Sequence, residues 1–330
     1  MPINKHKENV FESEIVQYLT AHSWLQGNDS NYNKALALYP MDLIGFIQDT
    51  QPKALKKIAD YYTQEQLYKR VAELMDKHGS LFILRHGFKD RGTKFTLSQF
   101  KPEHGLNPDL LNRYQKNRLR VVRQLHYSLN NKNSIDLVLF LNGIPVATIE
   151  LKTDFTQSIH DAIKQYKYDR LPNDKKNHQA EPLLTFKKRA LVHFAVSTDE
   201  VYMTTHLQGK KTRFLPFNKG NNGCAGNPPN PLGYTTAYLW ENILAKDTWL
   251  KIIGRYIHLT NTSQSEQLIF PRYHQLEVVN QLIQTVKKEG TGHKYLIQHS
   301  AGSGKSINFP PYITTIIKKY LTPSLQTKPS

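Results

Sequence analysis

Apolar residues near the N-terminus recur at helical spacing. Phe11, Ile15, Leu19 and Leu25 share one face with polar residues between them, which predicts an amphipathic helix over 12–25. Further helices are expected over 35–46 and 52–77. The break falls at Asp49-Thr50-Gln51-Pro52, because the residue before proline avoids the helical region. Residues 80–100 read as one or two strands around Asp90-Arg91-Gly92. The stretch 108–124 reads as a helix leading into a strand near 126–129. Two apolar runs follow, Ile-Asp-Leu-Val-Leu-Phe-Leu (135–141) and Pro-Val-Ala-Thr-Ile-Glu-Leu-Lys (145–152), joined by the turn signal Asn142-Gly143. A helix is expected over 157–168, a buried strand over 190–197 and another strand over 201–207. The segment 218–231 is a Gly/Asn/Pro loop, and 236–258 is rich in helical pattern before a boundary near 260–265. No internal repeat is present. The alternation of elements predicts an α/β core with the 135–152 hairpin at its centre.

That hairpin also carries candidate chemistry. Asp136 opens the first run, and Glu150-Leu151-Lys152 closes the second. Side chains alternate faces along a strand, so Glu150 and Lys152 share a face, about 6.6–6.8 Å apart. Two carboxylates and a lysine at adjacent strand ends are what a Mg²⁺-dependent phosphodiesterase needs: oxygen ligands for a hard cation and a point positive charge beside the reacting phosphate. Register decides whether they can meet. A strict two-residue turn at Asn142-Gly143 would set Asp136 across from Ile149 and leave Glu150 on the wrong face. A three-residue loop (Asn142-Gly143-Ile144), or an equivalent bulge, sets Asp136 across from Glu150. Pro145 would then open its strand, where proline is tolerated. The alternative is that Asp136 caps a strand and Glu-x-Lys is a solvated strand end.

Composition narrows the class. With 330 residues, 39% hydrophobic and 11% aromatic, the chain is globular and long enough for one large or two ordinary domains. It has no apolar run of membrane length, and its first residues lack a signal-peptide core. The single cysteine, Cys224, excludes an internal disulfide and fits a reducing, cytoplasmic setting. Lys and Arg exceed Asp and Glu to give a formal charge of +17, which points to a polyanion, most simply nucleic acid. Arg113, Lys116, Arg118, Arg120 and Arg123 crowd one stretch, interleaved with Tyr114 and followed by Tyr127. That arrangement suits phosphate contacts with occasional base stacking. Lys187-Lys188-Arg189 and Lys210-Lys211-Thr212-Arg213 are further clusters; solvated faces are the plain alternative.

A second motif lies near the C-terminus. Residues 294–298 read as a short strand running into His299-Ser300-Ala301-Gly302-Ser303-Gly304-Lys305-Ser306. In such a loop, glycines let backbone N–H groups curl around a phosphate. Lys305 would neutralise it and Ser306 would ligand Mg²⁺. A working loop opens a helix, yet here Pro310-Pro311 follow Ile307-Asn308-Phe309. Pro311 falls where the helix would lose a hydrogen bond, a cost of ~3 kcal/mol. Only 24 residues follow Ser306, with no second acidic metal motif among them.

Taken in order, these residues resemble the N-terminal part of the restriction (R) subunit of type I restriction-modification systems. There, a PD-(D/E)xK nuclease precedes a superfamily-2 DNA translocase. The resemblance spans about 9–307. It rests on Phe11-Glu12, Asp136 with Glu150-Leu151-Lys152, Gln165-Tyr166-Lys167-Tyr168-Asp169-Arg170, Phe-Ala-Val-Ser-Thr-Asp (194–199), Gly226-Asn227-Pro228, Pro271-Arg272-Tyr273-His274-Gln275 and the Gly-Ser-Gly-Lys-Ser loop. It implies a nuclease-like mixed sheet flanked by helices over 1–255 and an incomplete P-loop (RecA-like) domain over 256–330. By the same resemblance, Asp136, Glu150 and Glu12 (or Glu14) would be metal ligands and Lys152 the catalytic lysine. Gln165 would help to place DNA. The family element is often Gln-x-x-x-Tyr, but here the fourth residue after Gln165 is Asp169, with Tyr168 one earlier. Gln275, near Arg272, would read adenine, and Gly302, Ser303, Gly304, Lys305 and Ser306 would hold ATP. Mg²⁺ and ATP are the implied cofactors, and double-stranded DNA with the methyltransferase (M) and specificity (S) subunits the implied partners. Since most motor elements are missing, the expectation is a truncated endonuclease subunit without ATPase activity; the alternative is a non-catalytic DNA-binding remnant.

Overall fold

The computed structural model describes residues 3–102, 107–153, 158–261, 265–290 and 293–296, with side chains from residue 8 onward. Helix α1 (Ile3–Ala21) buries Phe11, Ile15 and Leu19, as the helical spacing predicts. It stops short of Leu25. Ser23 takes φ 76°, and Trp24–Gly27 leaves as strand β1, anchored by the Trp24 indole N–H donating to the Leu244 carbonyl at 3.0 Å. The helix expected over 35–46 begins only at Pro40, as α2 (Pro40–Thr50). The long helix expected over 52–77 is two, α3 (Pro52–Ile58) and α4 (Gln64–His78). The latter is restarted by a capping box between Thr63 and Gln66.

Residues 80–100 differ more. They form helix α5 (Ser80–His86) and then a small hairpin of β2 (Phe88–Asp90) and β3 (Thr93–Phe95). Helix α6 (Pro108–Gln115) ends well before 124, and strand β4 runs from Leu119 to His126. Asn117 marks the change: its side-chain amide donates to the Tyr114 carbonyl, which a continuing helix would have used, and to the Gln99 carbonyl. Strands β5 (Ser134–Leu141) and β6 (Ile144–Leu151), helix α7 (Ile159–Tyr168), and strands β7 (Val192–Val196), β8 (Val201–Thr204) and β9 (Leu215–Pro216) follow. Helix α8 (Lys246–Lys251) lies between two π-helical turns, Leu239–Ile243 and Ile252–Tyr256. Strands β10 (His258–Asn261) and β11 (Glu266–Ile269) pair with each other, and α9 (Tyr273–Glu289) comes next.

Among the described residues the main sheet has seven strands in the order β1-β4-β5-β6-β7-β8-β9. It is mixed: β1 with β4 and β6 with β7 are parallel, the other pairs antiparallel. Helix α7 makes the crossover between the parallel strands β6 and β7, as a parallel connection requires. One apolar cluster joins α1, α2, α4, α5, α8 and α9 to one face, and a second lines the face toward Tyr166 of α7. Phe270 and α9 belong to the first cluster, with Phe270 edge-on to Phe194 and Leu276 and Val279 buried.

The hairpin at the centre resolves the register question by the bulge, the second of the two expected routes. Leu141 pairs with Ile144 across a two-residue turn, with Asn142 at φ 49° and Gly143 at φ 80°, so the three-residue loop does not form. Phe140 pairs with Pro145, but Leu139 pairs with Ala147, leaving Val146 as an extra residue in a β-bulge. The bulge moves the register by one, and Leu137 then meets Ile149.

Residues 294–296, the described part of the strand expected at 294–298, carry no strand pairing. The expected phosphate loop, including Gly302, Ser303, Gly304, Lys305 and Ser306, lies outside the described residues. No helix among the described residues is long and apolar enough to cross a membrane.

Candidate active site

The bulged register continues outward from Leu137–Ile149, so Asp136 stands opposite Glu150. The Leu151 backbone N–H donates to Asp136 Oδ2 at 2.7 Å, which ties that carboxylate to the neighbouring strand. Glu150 projects from the middle of the sheet and is fully buried. Its Oε1 accepts from Arg170 Nε at 2.6 Å, just beyond the end of α7. Its Oε2 is buried with no hydrogen-bond partner among the described residues. Burial first, and the Asp136 charge second, push the Glu150 carboxyl well above the usual range, although Arg170 pulls the other way.

Lys152 follows on the Glu150 face. Its ammonium donates to Glu8 Oε1 of α1 at 2.7 Å. One helical turn on, Glu12 is 1% exposed and is the α1 carboxylate drawn toward the sheet; Glu14 is exposed. Arg123 Nε donates to Glu12 Oε1 at 2.6 Å. Gln124 Nε2 donates to Glu12 Oε2 at 2.9 Å and to Asp136 Oδ1 at 3.1 Å. Glu8, Glu12, Asp136 and Glu150 therefore meet Arg123, Lys152 and Arg170: four carboxylates against three cations, joined through one neutral amide.

The donor set suits a divalent cation of the Mg²⁺ type. Such an ion takes oxygen ligands, keeps several waters and is held by one or two carboxylates. Asp136 and Glu150 supply that pair: their carboxyls lie against each other, and the buried Glu150 Oε2 meets no donor among the described residues. As they stand, no three acidic, His or Cys side chains among the described residues form a ready ligand set; Glu12 reaches Asp136 only through Gln124.

Gln165 lies beside this cluster. It lines an open groove of about 410 Å³ with Lys152, Asp161, Lys164, Tyr168 and Asp169. Tyr168 is 47% exposed, and the Lys210 ammonium lies 5.8 Å from its ring centroid. Tyr166, two residues earlier, is buried and shares a 2.8 Å hydrogen bond with Thr148. Gln275 is elsewhere: it is fully buried in the first turn of α9, its Oε1 accepting from the Arg272 backbone N–H at 2.8 Å.

A family model for the N terminus of the type I restriction enzyme R protein matches residues 46–212. That span is just over half of the chain, and it contains Asp136, Glu150, Lys152 and Gln165. The chain belongs to this family. No curated protein matches it. The R-protein match covers the β2–β3 hairpin, strands β4 to β8 of the main sheet and helix α7, while Glu8 and Glu12 lie ahead of it on α1.

Several basic residues of this R-protein chain differ in role from the sequence expectation. Arg120 forks onto both oxygens of Asp42, at 2.5 and 2.8 Å, and Arg118 bonds Asp49 at 3.0 Å. Arg123 holds Glu12, and Arg189 is buried against Asp76 and the Leu36 carbonyl. These arginines stitch the fold together instead of lying open to phosphates. Tyr114 and Tyr127 are 1% and 2% exposed, so neither offers a ring for stacking. Sequence reasoning passed over Gln124 and Glu8. Arg170 entered only as part of a motif, and nothing in the spacing ties it to Glu150.

Proposed function

We propose that this chain is the nuclease part of a type I restriction R subunit, hydrolysing DNA phosphodiesters with a divalent cation held by Asp136 and Glu150. The observation that carries the reading is the pair of facing strand carboxylates with one buried, partnerless oxygen, next to a lysine on the same face. When bound, the cation supplies Lewis acidity for the attacking water and offsets phosphate charge. Asp136 is held in place by the Leu151 N–H, so its orientation is set before any ligand arrives. Lys152 remains an ammonium donor beside the groove, where it neutralises a phosphate oxygen once it turns from Glu8. Gln165, Lys164, Tyr168 and Lys210 border the path by which a DNA strand reaches it. Glu12 joins as a third carboxylate from α1. In the assembled system, the specificity and methyltransferase subunits would choose the DNA site, and ATP-driven translocation would belong to the motor portion.

The test is nicking of supercoiled DNA by purified protein in Mg²⁺ or Mn²⁺. Wild type is expected to relax the substrate, and Asp136→Ala and Lys152→Ala to lose at least 100-fold in rate, on the order of one electrostatic stabiliser removed. Equal behaviour of wild type and both variants overturns the nuclease reading.

A further inference from the structure

Strand β4 departs from ordinary geometry at Gln124. Its φ is 47°, in the left-handed region, which an L residue with a side chain enters only at a cost. The kink shifts the alternation of side chains: Val122 and Leu125, three positions apart, enter the same apolar cluster. It also determines where the Gln124 side chain lies. Arg123 pairs with Leu137 and Leu125 with Ile135, so Gln124 stands across from Asp136. Its Nε2 bridges Asp136 Oδ1 and Glu12 Oε2, and its Oε1 accepts from Ser134 Oγ at 3.3 Å. Carboxylates only accept hydrogen bonds, so the amide must turn its nitrogen to both. Two N–H groups thereby occupy the position between Glu12 and Asp136 that a shared cation would take. Unlike both carboxylates, Gln124 is exposed, so its side chain can swing outward without opening the core.

We infer that Gln124 is a gate on the cation site: its amide holds Glu12 and Asp136 in the metal-free protein and is displaced as a divalent cation binds. The inference rests on the cation site proposed above. Gln124 is a positioning residue, since it acts on the carboxylates and not on the phosphate. Its hydrogen bonds are made only in the metal-free state, so they oppose loading. They also keep two buried anions satisfied until the cation arrives. Glu12 becomes available as a third ligand only when the amide leaves.

Calorimetric titration of Mn²⁺ into the full chain tests this, using wild type, Gln124→Ala, Gln124→Asn and Asp136→Asn. Asparagine tolerates the left-handed backbone but is one methylene too short to span both carboxylates, so it guards against a fold lost through alanine. Both Gln124 variants are expected to bind Mn²⁺ roughly tenfold tighter, the scale of one hydrogen bond to a charged group. They should also melt at a lower temperature without metal and gain more from Mn²⁺ than wild type does. A merely structural glutamine would lower melting equally with and without the ion. Unchanged or weaker Mn²⁺ affinity in both variants overturns the gate while leaving the nuclease reading intact. A wild type with no Mn²⁺ site sensitive to Asp136→Asn overturns both.

Discussion

At the scale of single residues, Glu150 governs the site because its charge is only half satisfied. Arg170 serves one oxygen at 2.6 Å, and no donor among the described residues serves the other. Removing a single partner from a buried pair costs more than the pair contributes, because it strands the remaining charge. Arg170→Ala should therefore lower metal-free stability by about 3–5 kcal/mol, measured by denaturant unfolding at neutral pH with a chelator present. Glu150→Gln should cost clearly less, since it removes the stranded charge and leaves Arg170 near Asp136. Equal costs would mean that Glu150 is not strained. The pH dependence follows from the raised Glu150 pKa. The folded protein keeps this proton to higher pH than the unfolded chain does, so the native state binds more protons in that window. Metal-free stability then falls as pH rises above the ordinary carboxylate range, and Glu150→Gln removes that slope.

At the scale of elements, the β5–β6 turn and its bulge place the site. Gly143 sits at φ 80°, and a Cβ there would lie 2.4 Å from the Tyr39 carbonyl oxygen and 2.8 Å from the Leu43 nitrogen. Gly143→Ala should cost about 2–4 kcal/mol, from backbone strain plus overpacking. Gly92 has a similar φ of 76° in the β2–β3 turn, but open space around it. Gly92→Ala should cost only about 1–2 kcal/mol, the backbone share. Equal losses in the two denaturation curves would refute the packing argument. The apolar runs of β5 and β6 were legible in the sequence, and so was the need for a register shift to bring Asp136 across from Glu150. Its form was not, because a three-residue loop and a two-residue turn with a bulge insert the same one residue. The stretch around Leu119, Val121, Val122 and Leu125 fits helical and strand spacing alike, which hid β4 within an expected helix and Gln124 with it. Glu8 and Arg170 stayed unseen for another reason: partners 144 and 20 residues from Lys152 and Glu150 leave no trace in local periodicity.

At the scale of the whole molecule, a chain of charge +17 holds a cluster in which carboxylates outnumber cations. On the proposed reading, long-range attraction would bring DNA to such a surface, but the last step would meet anions that repel a phosphate. On the same reading, a bound divalent cation would reverse that sign locally, and the basic exterior and acidic centre would then serve one purpose. Three arginines of the 113–123 stretch, Arg118, Arg120 and Arg123, are bound to acidic partners, while Arg113 is exposed. The proposed approach surface is instead the groove lined by Lys152, Lys164 and Tyr168, with the Lys210 ammonium over the Tyr168 ring.

Anomalous diffraction from crystals soaked in Mn²⁺ tests the central claim most directly. A peak bridging the Asp136 and Glu150 carboxylates, about 2.0–2.6 Å from an oxygen of each, with the Arg170 contact loosened, is the predicted result. Density that leaves Glu150 clasped by Arg170 and puts manganese elsewhere, or nowhere, would contradict it.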